Sequence, residues 1–311
     1  MNRLSKLEKS ELLSGIRVII TGCGFKPLHH TFHSTVTGEP THDPIYVNDH
    51  EMKINIGAAT AFVLAASGAT VHLVSRTEGN LRALKENIID ILEVPPERVE
   101  YSAIDMLDEN SVAEFVNKLP KDKPIWWSQS IGLGAGAYKL KDDNPYLRIE
   151  EIPTELLEME STIVLKGTHI LMKKLLPIFR EQNKRFKEKT KIAIVTSMSG
   201  MRGYDLGGTH CASKGAIDRY ANAAMLDLVK ENIFISSIRP GIIDTGMYDG
   251  TPVIEAVKHV GKNYGFSYDG DSIPLAPPVS VGQAILGVLT SPAHITSVNI
   301  VADQQWPNEG S

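Results

Sequence analysis

The chain has 311 residues, 42% hydrophobic and 22% charged, enough to bury a large core. A formal net charge of −5 offers no basic balance for nucleic acid or an anionic membrane surface, and two cysteines, Cys23 and Cys211, are too few for a disulfide framework. No apolar run reaches the roughly 18 residues of a spanning helix, and the polar start MNRLSKLEKSELLSG lacks the apolar region of a secretory signal. A soluble cytoplasmic protein without nucleic-acid or membrane partners is expected.

Apolar, β-branched runs alternate with helical patterns. Strands are predicted at 17–21, 70–75, 99–103, 124–128, 191–196, 233–238 and 295–301, and helices near 56–67, 78–92, 109–118, 152–182, 209–231 and 280–290. This alternation predicts an α/β fold, a doubly wound parallel sheet of about seven strands between two helical layers. Such a sheet binds ligands at the carboxyl ends of its strands. No repeat, low-complexity tract or Pro/Ser linker divides residues 1–311, so one domain is expected, with two packed α/β lobes as the alternative. Trp126 and Trp127 end the fourth strand and should face opposite helix layers.

The first strand ends in Thr21-Gly22-Cys23-Gly24, and Asn55-Ile56-Gly57 opens a helix. Joined directly, these halves would make a strand–glycine loop–helix unit of the dinucleotide-binding kind, with a helix N-terminus facing a pyrophosphate. Residues 25–54 separate them. This insert holds five of the ten histidines, His29, His30, His33, His42 and His50, besides Asp43 and Asp49. No second compact ligand pair accompanies them, so no metal is expected. Pro27, Pro40 and Pro44 punctuate it as turns. Its position over the phosphate loop predicts a lid or an oligomer contact, with a polar excursion as the plain alternative.

The second of these strands ends in Val74-Ser75-Arg76. A hydroxyl and a guanidinium fork there suit a ribose 2′-phosphate, where an acidic residue would suit a 2′-hydroxyl; a solvated arginine is the alternative. Asp105 could take an adenine edge or cap the helix at 109. Further on, the strand from Lys191 runs into Ser197, Ser199 and Gly200, and a helix begins at about Thr209. His210 and Lys214 lie one turn apart on its face, opposite the strand-end hydroxyl.

These residues resemble the short-chain dehydrogenase/reductase family over about 15–302, the insert apart. Thr21-Gly22…Asn55-Ile56-Gly57 matches TGxxxGxG; Ser197 stands thirteen residues before position 210; Ala212-Ser213-Lys214 closes YxxxK; Pro240 to Thr245 matches PGxxxT. The resemblance implies a Rossmann-type fold and hydride transfer between a nicotinamide cofactor and a carbonyl or secondary alcohol, with Ser75-Arg76 similar to the NADP-preferring members. It assigns cofactor contacts to Thr21, Gly22, Asn55, Ile56, Gly57, Ser75, Arg76, Asp105, Met106, Ser130, Lys214, Pro240, Gly241, Ile243 and Thr245. It assigns the substrate oxygen to Ser197 and the ribose to Lys214, makes 246–278 the substrate region, and implies a homodimer or homotetramer paired through the helices around 152–182 and 209–231.

Three departures bear on the reaction. The catalytic tyrosine position is His210, NNAG reads Gln129-Ser130-Ile131-Gly132, and the helix asparagine is Val164. Histidine can also move protons. The neighbouring Lys214 ammonium disfavours imidazolium, which suits a general base and makes alcohol oxidation or proton abstraction easier than acid-assisted reduction. Tyr204 and Tyr138 are alternative proton donors, each otherwise a loop aromatic. Cys211 reads as a small core residue, since successive helical residues do not face one another. The alternatives to an NADP(H)-dependent dehydrogenase are a redox-inactive dinucleotide-binding sensor or scaffold, and a dehydratase or isomerase using His210 as base.

Overall fold

The computed structural model describes residues 2–132, 146–270 and 272–305. From the N-terminus, β1 (Arg17–Thr21) precedes an excursion carrying β2 (Phe25–Pro27), β3 (Pro44–Val47) and β4 (His50–Ile54). Next come α1 (Ile56–Ala66), β5 (Thr70–Ser75), α2 (Glu78–Leu92), β6 (Val99–Ala103), α3 (Glu109–Lys118) and β7 (Ile125–Gln129). The second half holds α4 (Thr154–Ser161), α5 (Gly167–Phe186), β8 (Thr190–Val195), α6 (Gly208–Leu228), β9 (Ile233–Pro240), α7 (Thr251–Asn263), α8 (Pro278–Thr290) and β10 (Ser297–Ile300).

Seven of these strands form one parallel sheet in the order β6-β5-β1-β7-β8-β9-β10. The chain winds outward from β1 to β6 and restarts at β7, so the winding reverses between β1 and β7. Both strands diverge into loops at their carboxyl ends there, which opens a crevice. The inner strands are buried on both faces, which is why β1 reads as a continuous apolar run rather than an alternating one. Consecutive side chains still point to opposite faces. Trp126 packs with α1, α2 and α8, whereas Trp127 packs with α3, α5 and α6. Helix α1 is apolar all round because α8 covers its outer side; a Cβ on Gly282 would stand 3.0 Å from Val63.

The strands and helices follow the predicted pattern, with four differences. The insert is not a bare polar excursion, because β2, β4 and β3 form an antiparallel sheet, pairing Phe25 with Ile54 and Ile45 with Met52. Asn48 and Asp49, both at positive φ (50° and 62°), make its tight β3–β4 turn. The helix expected over 152–182 is interrupted by a π turn at Thr162–Lys166 and then runs on to Phe186. The region 246–278 contains α7, whose Val253, Ile254, Val257 and Val260 are buried. Helix α3 is capped by Asp108, which accepts from the Asn110 amide, and not by Asp105, whose Oδ1 accepts from the Leu107 amide at 2.9 Å.

The insert is tied to the second half of the chain. Phe32 packs with Ile242, Ile254, Val257 and Val260. Asp43 Oδ2 accepts from the Val279 amide in the first turn of α8 at 2.8 Å, where a carboxylate also suits the helix dipole. No helix among the described residues is long and apolar enough to cross a membrane.

Candidate functional site

The glycine-rich loop interrupted in sequence is continuous in space. Asn55 Nδ2 donates to the Gly22 carbonyl at 2.8 Å, and Asn55 Oδ1 accepts from the amides of Gly24 at 3.2 Å and Ala58 at 3.0 Å. The Asn55 amide donates to the Gly24 carbonyl at 3.0 Å. Asn55 is thus both the clasp of the loop and the cap of α1. Gly22 has φ +83° and a Cβ there would lie 2.4 Å from the Ser130 carbonyl oxygen; a Cβ on Gly57 would lie 2.7 Å from the Gly22 oxygen. Backbone packs on backbone at both places, so only glycine fits.

A cleft of about 1150 Å³ opens beside this loop at the carboxyl ends of β1, β7, β8 and β9. Of the residues expected to hold a dinucleotide, Gly22, Asn55, Ile56, Ser130, Lys214, Pro240, Gly241, Ile243 and Thr245 line it. Thr21 lies behind it, its hydroxyl accepting from Trp127 Nε1 at 3.2 Å, and Gly57 is buried against Gly22. Ser75, Arg76, Asp105 and Met106 do not line the cleft; Arg76 and Asp105 are exposed and Met106 is buried against Gly167. The wall fits a dinucleotide: a glycine cradle that Cβ atoms would fill, a helix start whose first amides have no carbonyl partner within the helix, and a buried Ser130 hydroxyl without a partner among the described residues. Lys26, from β2 of the insert, also lines the cleft, which the sequence reading missed.

Strand β8 delivers Ser197, whose Oγ accepts from the Ser199 amide at 3.1 Å and from the Ser199 hydroxyl at 2.6 Å. Among the described residues its own proton has only the Pro240 carbonyl at 3.4 Å, a weak bond that a ligand oxygen can replace. Gly200 lets this turn press onto α6, since a Cβ there would stand 2.6 Å from the Lys214 carbonyl oxygen. That contact sets Ser197 beside His210 and Lys214, and all three line the cleft. Lys214 is buried, which lowers its pKa, with the Glu160 charge acting in the opposite direction.

Glu160, in the last turn of α4, completes the group. Its Oε1 lies 3.1 Å from His210 Nδ1, and its side chain is only 3% exposed. Burial pushes the carboxyl up, but His210, Ser213 and Lys214 outweigh burial and hold it below the usual range. The sequence reading weighed only Lys214 against His210 and missed this carboxylate. The available signal was an acidic residue one helical turn before Val164. Val164 itself is fully buried in the π turn, and its carbonyl accepts from the Thr168 hydroxyl at 2.6 Å, which in turn receives Gln129 Nε2 at 2.6 Å.

Tyr204 does not line the main cleft. Among the cavities it lines, two of about 440 and 450 Å³ adjoin the cleft and are shared with Tyr146, Tyr248 and His210. Tyr138 lies outside the described residues. Burial pushes the Cys211 thiol up, away from thiolate chemistry. Among the described residues no group of three or more His, Cys, Asp or Glu could hold a metal ion.

Residues 54–252 match the family model described as short chain dehydrogenase. The chain belongs to that family. As a short chain dehydrogenase it shares 29% identity over 195 residues with an uncharacterised oxidoreductase of Bacillus subtilis, covering 62% of this chain and 65%, just under two thirds, of the Bacillus protein. A levodione reductase of Leifsonia aquatica is 25% identical over 201 residues, covering 63% of this chain and 68% of its own. Among solved structures, an alcohol dehydrogenase of Thermococcus sibiricus complexed with 5-hydroxy-NADP superposes with TM-score 0.65 at 18% identity, covering 94% of this chain and 99% of that one. This short chain dehydrogenase therefore has the Rossmann-type sheet of an oxidoreductase family.

Proposed function

We propose that the chain is an NADP(H)-dependent oxidoreductase that moves a hydride between the nicotinamide and a carbonyl or secondary alcohol. The observation that carries this reading is the convergence of Ser197, His210 and Lys214 on one wall of the cleft that begins at the glycine loop. The cofactor, when bound, supplies or accepts the hydride. Gly22, Asn55 and Ile56 would hold its diphosphate, and Lys214, Ser130 and the Pro240–Thr245 segment its nicotinamide half. Arg76, exposed at the end of β5, would meet a 2′-phosphate, which is the basis for NADP(H) over NAD(H).

Ser197 donates its weakly held proton to the substrate oxygen and so fixes the reacting carbon. His210 exchanges a proton with that same oxygen. Buried Lys214 contributes positive charge beside a ribose and balances Glu160. The relatives' printed names, a levodione reductase and an alcohol dehydrogenase, are in keeping with carbonyl and alcohol substrates. The insert and 246–278 together would wall the substrate end, and Leu157, Met159 and Leu226, exposed on α4 and α6, would be covered in a homodimer or homotetramer.

The test uses purified protein with NADPH deuterated on its transferring position and a broad panel of aldehydes and ketones, then NADP⁺ with alcohols. Deuterium is expected in a product alcohol. A second reading, a redox-inactive dinucleotide binder, is favoured by histidine at the tyrosine position. It predicts cofactor binding by calorimetry with no isotope transfer across the panel, and that result would overturn the first.

A further inference from the structure

Glu160 is an expensive residue to place where it is. A buried carboxylate costs several kcal/mol unless its charge is matched and its oxygens are bonded. Oε1 meets His210, but buried Oε2 makes no hydrogen bond of full geometry among the described residues, with the Ser213 hydroxyl nearby. A carboxylate kept only for stability would have both oxygens satisfied. Here one oxygen is aimed at a ring in the cleft, and Ser213 and Lys214 are the other neighbours that favour the charged form. The residue also stands at the entry to the π turn Thr162–Lys166, an irregularity that recurs at functional sites and that re-aims the helix face before it.

We propose that Glu160 is the positioning residue of a Glu160–His210 proton-transfer pair: the carboxylate holds the imidazole as the tautomer protonated on Nδ1 and presents the bare Nε2 to the substrate hydroxyl. An ionised carboxylate can only accept a hydrogen bond, so the ring proton must sit on Nδ1. Nε2 is then a base in the neutral ring and the donor in the charged one. The inference rests on reading the cleft as a redox site. In the oxidising direction, the substrate O–H breaks and its proton goes to Nε2. The C–H bond breaks with its electron pair leaving as hydride to an oxidised nicotinamide, and the C–O bond becomes a carbonyl. The Nε2 proton later passes to solvent. Reduction is the same sequence reversed.

Glu160 also alters the electrostatic reading drawn from Lys214 alone. The groups facing His210 among the described residues are Glu160 from α4, Lys214 on its own helix, and Tyr146, Tyr204 and Tyr248 around the adjoining cavities. The Glu160 carboxylate, in direct contact with Nδ1, offsets the repulsion that the Lys214 ammonium exerts on a protonated ring. That suits a reversible dehydrogenase better than the one-way base that Lys214 by itself would make.

Two readouts test the pair. Long-range ¹H–¹⁵N NMR of the histidines, with His210 assigned by its loss in His210→Asn, needs neither cofactor nor substrate. The wild type should show His210 protonated on Nδ1, and Glu160→Ala should return it to the Nε2-protonated form usual for a free side chain. Glu160→Gln keeps the shape and an accepting oxygen but removes the charge. It should lower kcat about 10- to 100-fold, leave the cofactor Kd within about twofold, and move the acid limb of the kcat/KM profile to lower pH. An Nε2-protonated His210 in the wild type overturns the proposal, and so does a Glu160→Gln profile that does not move. If no alcohol or carbonyl is turned over, the redox reading falls while the NMR result still decides the pair. A melting curve on each variant separates misfolding from loss of function, and Glu160→Gln carries the test if Glu160→Ala does not fold.

Discussion

Lys53 Nζ lies 2.8 Å from Asp244 Oδ1, and neither side chain has any exposed surface. The same ammonium meets Asp249 Oδ1 at 2.7 Å and sits over the Phe32 ring at 4.9 Å, while the Thr41 hydroxyl donates to Asp244 Oδ2 at 2.8 Å. The last strand of the insert therefore holds the segment after β9 that carries Ile243 and Thr245 into the cleft. Removing one partner of a buried ion cluster leaves charge without compensation, at a cost of about 3–5 kcal/mol. Lys53→Met should lower the urea midpoint by that equivalent, and an unchanged midpoint would remove the insert's structural role.

The glycine loop offers a contrast within three residues. Gly22→Ala must force a Cβ onto the Ser130 carbonyl at a φ that L side chains resist, whereas Gly24→Ala meets only Asn55 Nδ2 at 3.5 Å, an ordinary contact. Strain of this kind costs on the order of 1–3 kcal/mol before the clash is relieved. Calorimetry should find NADP(H) binding lost or sharply weakened in Gly22→Ala and nearly intact in Gly24→Ala. Equal effects would mean that the loop is not the cofactor cradle.

Arg76 decides the cofactor in the proposed function. A hydrogen bond to a charged group is worth about 1.5–3 kcal/mol, so Arg76→Asp should raise the Kd for NADP⁺ about tenfold or more. The Kd for NAD⁺ should stay within about threefold. A loss equal for both cofactors would assign Arg76 to the surface.

Stability at low pH should report a cluster at the other end of the sheet. Burial pushes Glu100 up, but His72 at 3.0 Å and Arg17, which reaches both carboxylate oxygens at 3.1 Å, outweigh it and lower its pKa from 4.5 to about 2. A depressed carboxyl pKa contributes stability that is fully present above the unfolded value and is lost as pH falls through the folded one. Unfolding free energy should thus drop between pH 4.5 and about 2, by up to about 3 kcal/mol from this group. Glu100→Gln should be less stable at neutral pH and flatter across that window. A wild-type slope retained in the variant would assign the acid sensitivity to other carboxylates.

Much of this was legible without coordinates. The strands declared themselves because a parallel sheet buried on both faces requires unbroken β-branched runs, and Trp126 and Trp127 had to part because successive strand residues point oppositely. Helix α7 was legible but overlooked, for Val253, Val257 and Val260 keep helical spacing inside a Gly- and Tyr-rich surround. The insert's hairpin was announced by Asn48-Asp49 between two β-capable runs, although its prolines read more loudly as turns.

The site divides along the same line. Sequence alone determined the frame: the order of strands and helices, a strand-end Ser197, and His210 and Lys214 at one-turn spacing, all set by local periodicity and by motifs a few residues long. Tertiary structure alone decided how that frame closes. Asn55 clasps Gly22 across the insert, Lys53 anchors Asp244, and Glu160 meets His210 from fifty residues away. Each is a contact between elements brought together by packing. The approach of α4 to α6 follows from the π turn and the layers around the sheet, and neither leaves a periodic mark in the chain.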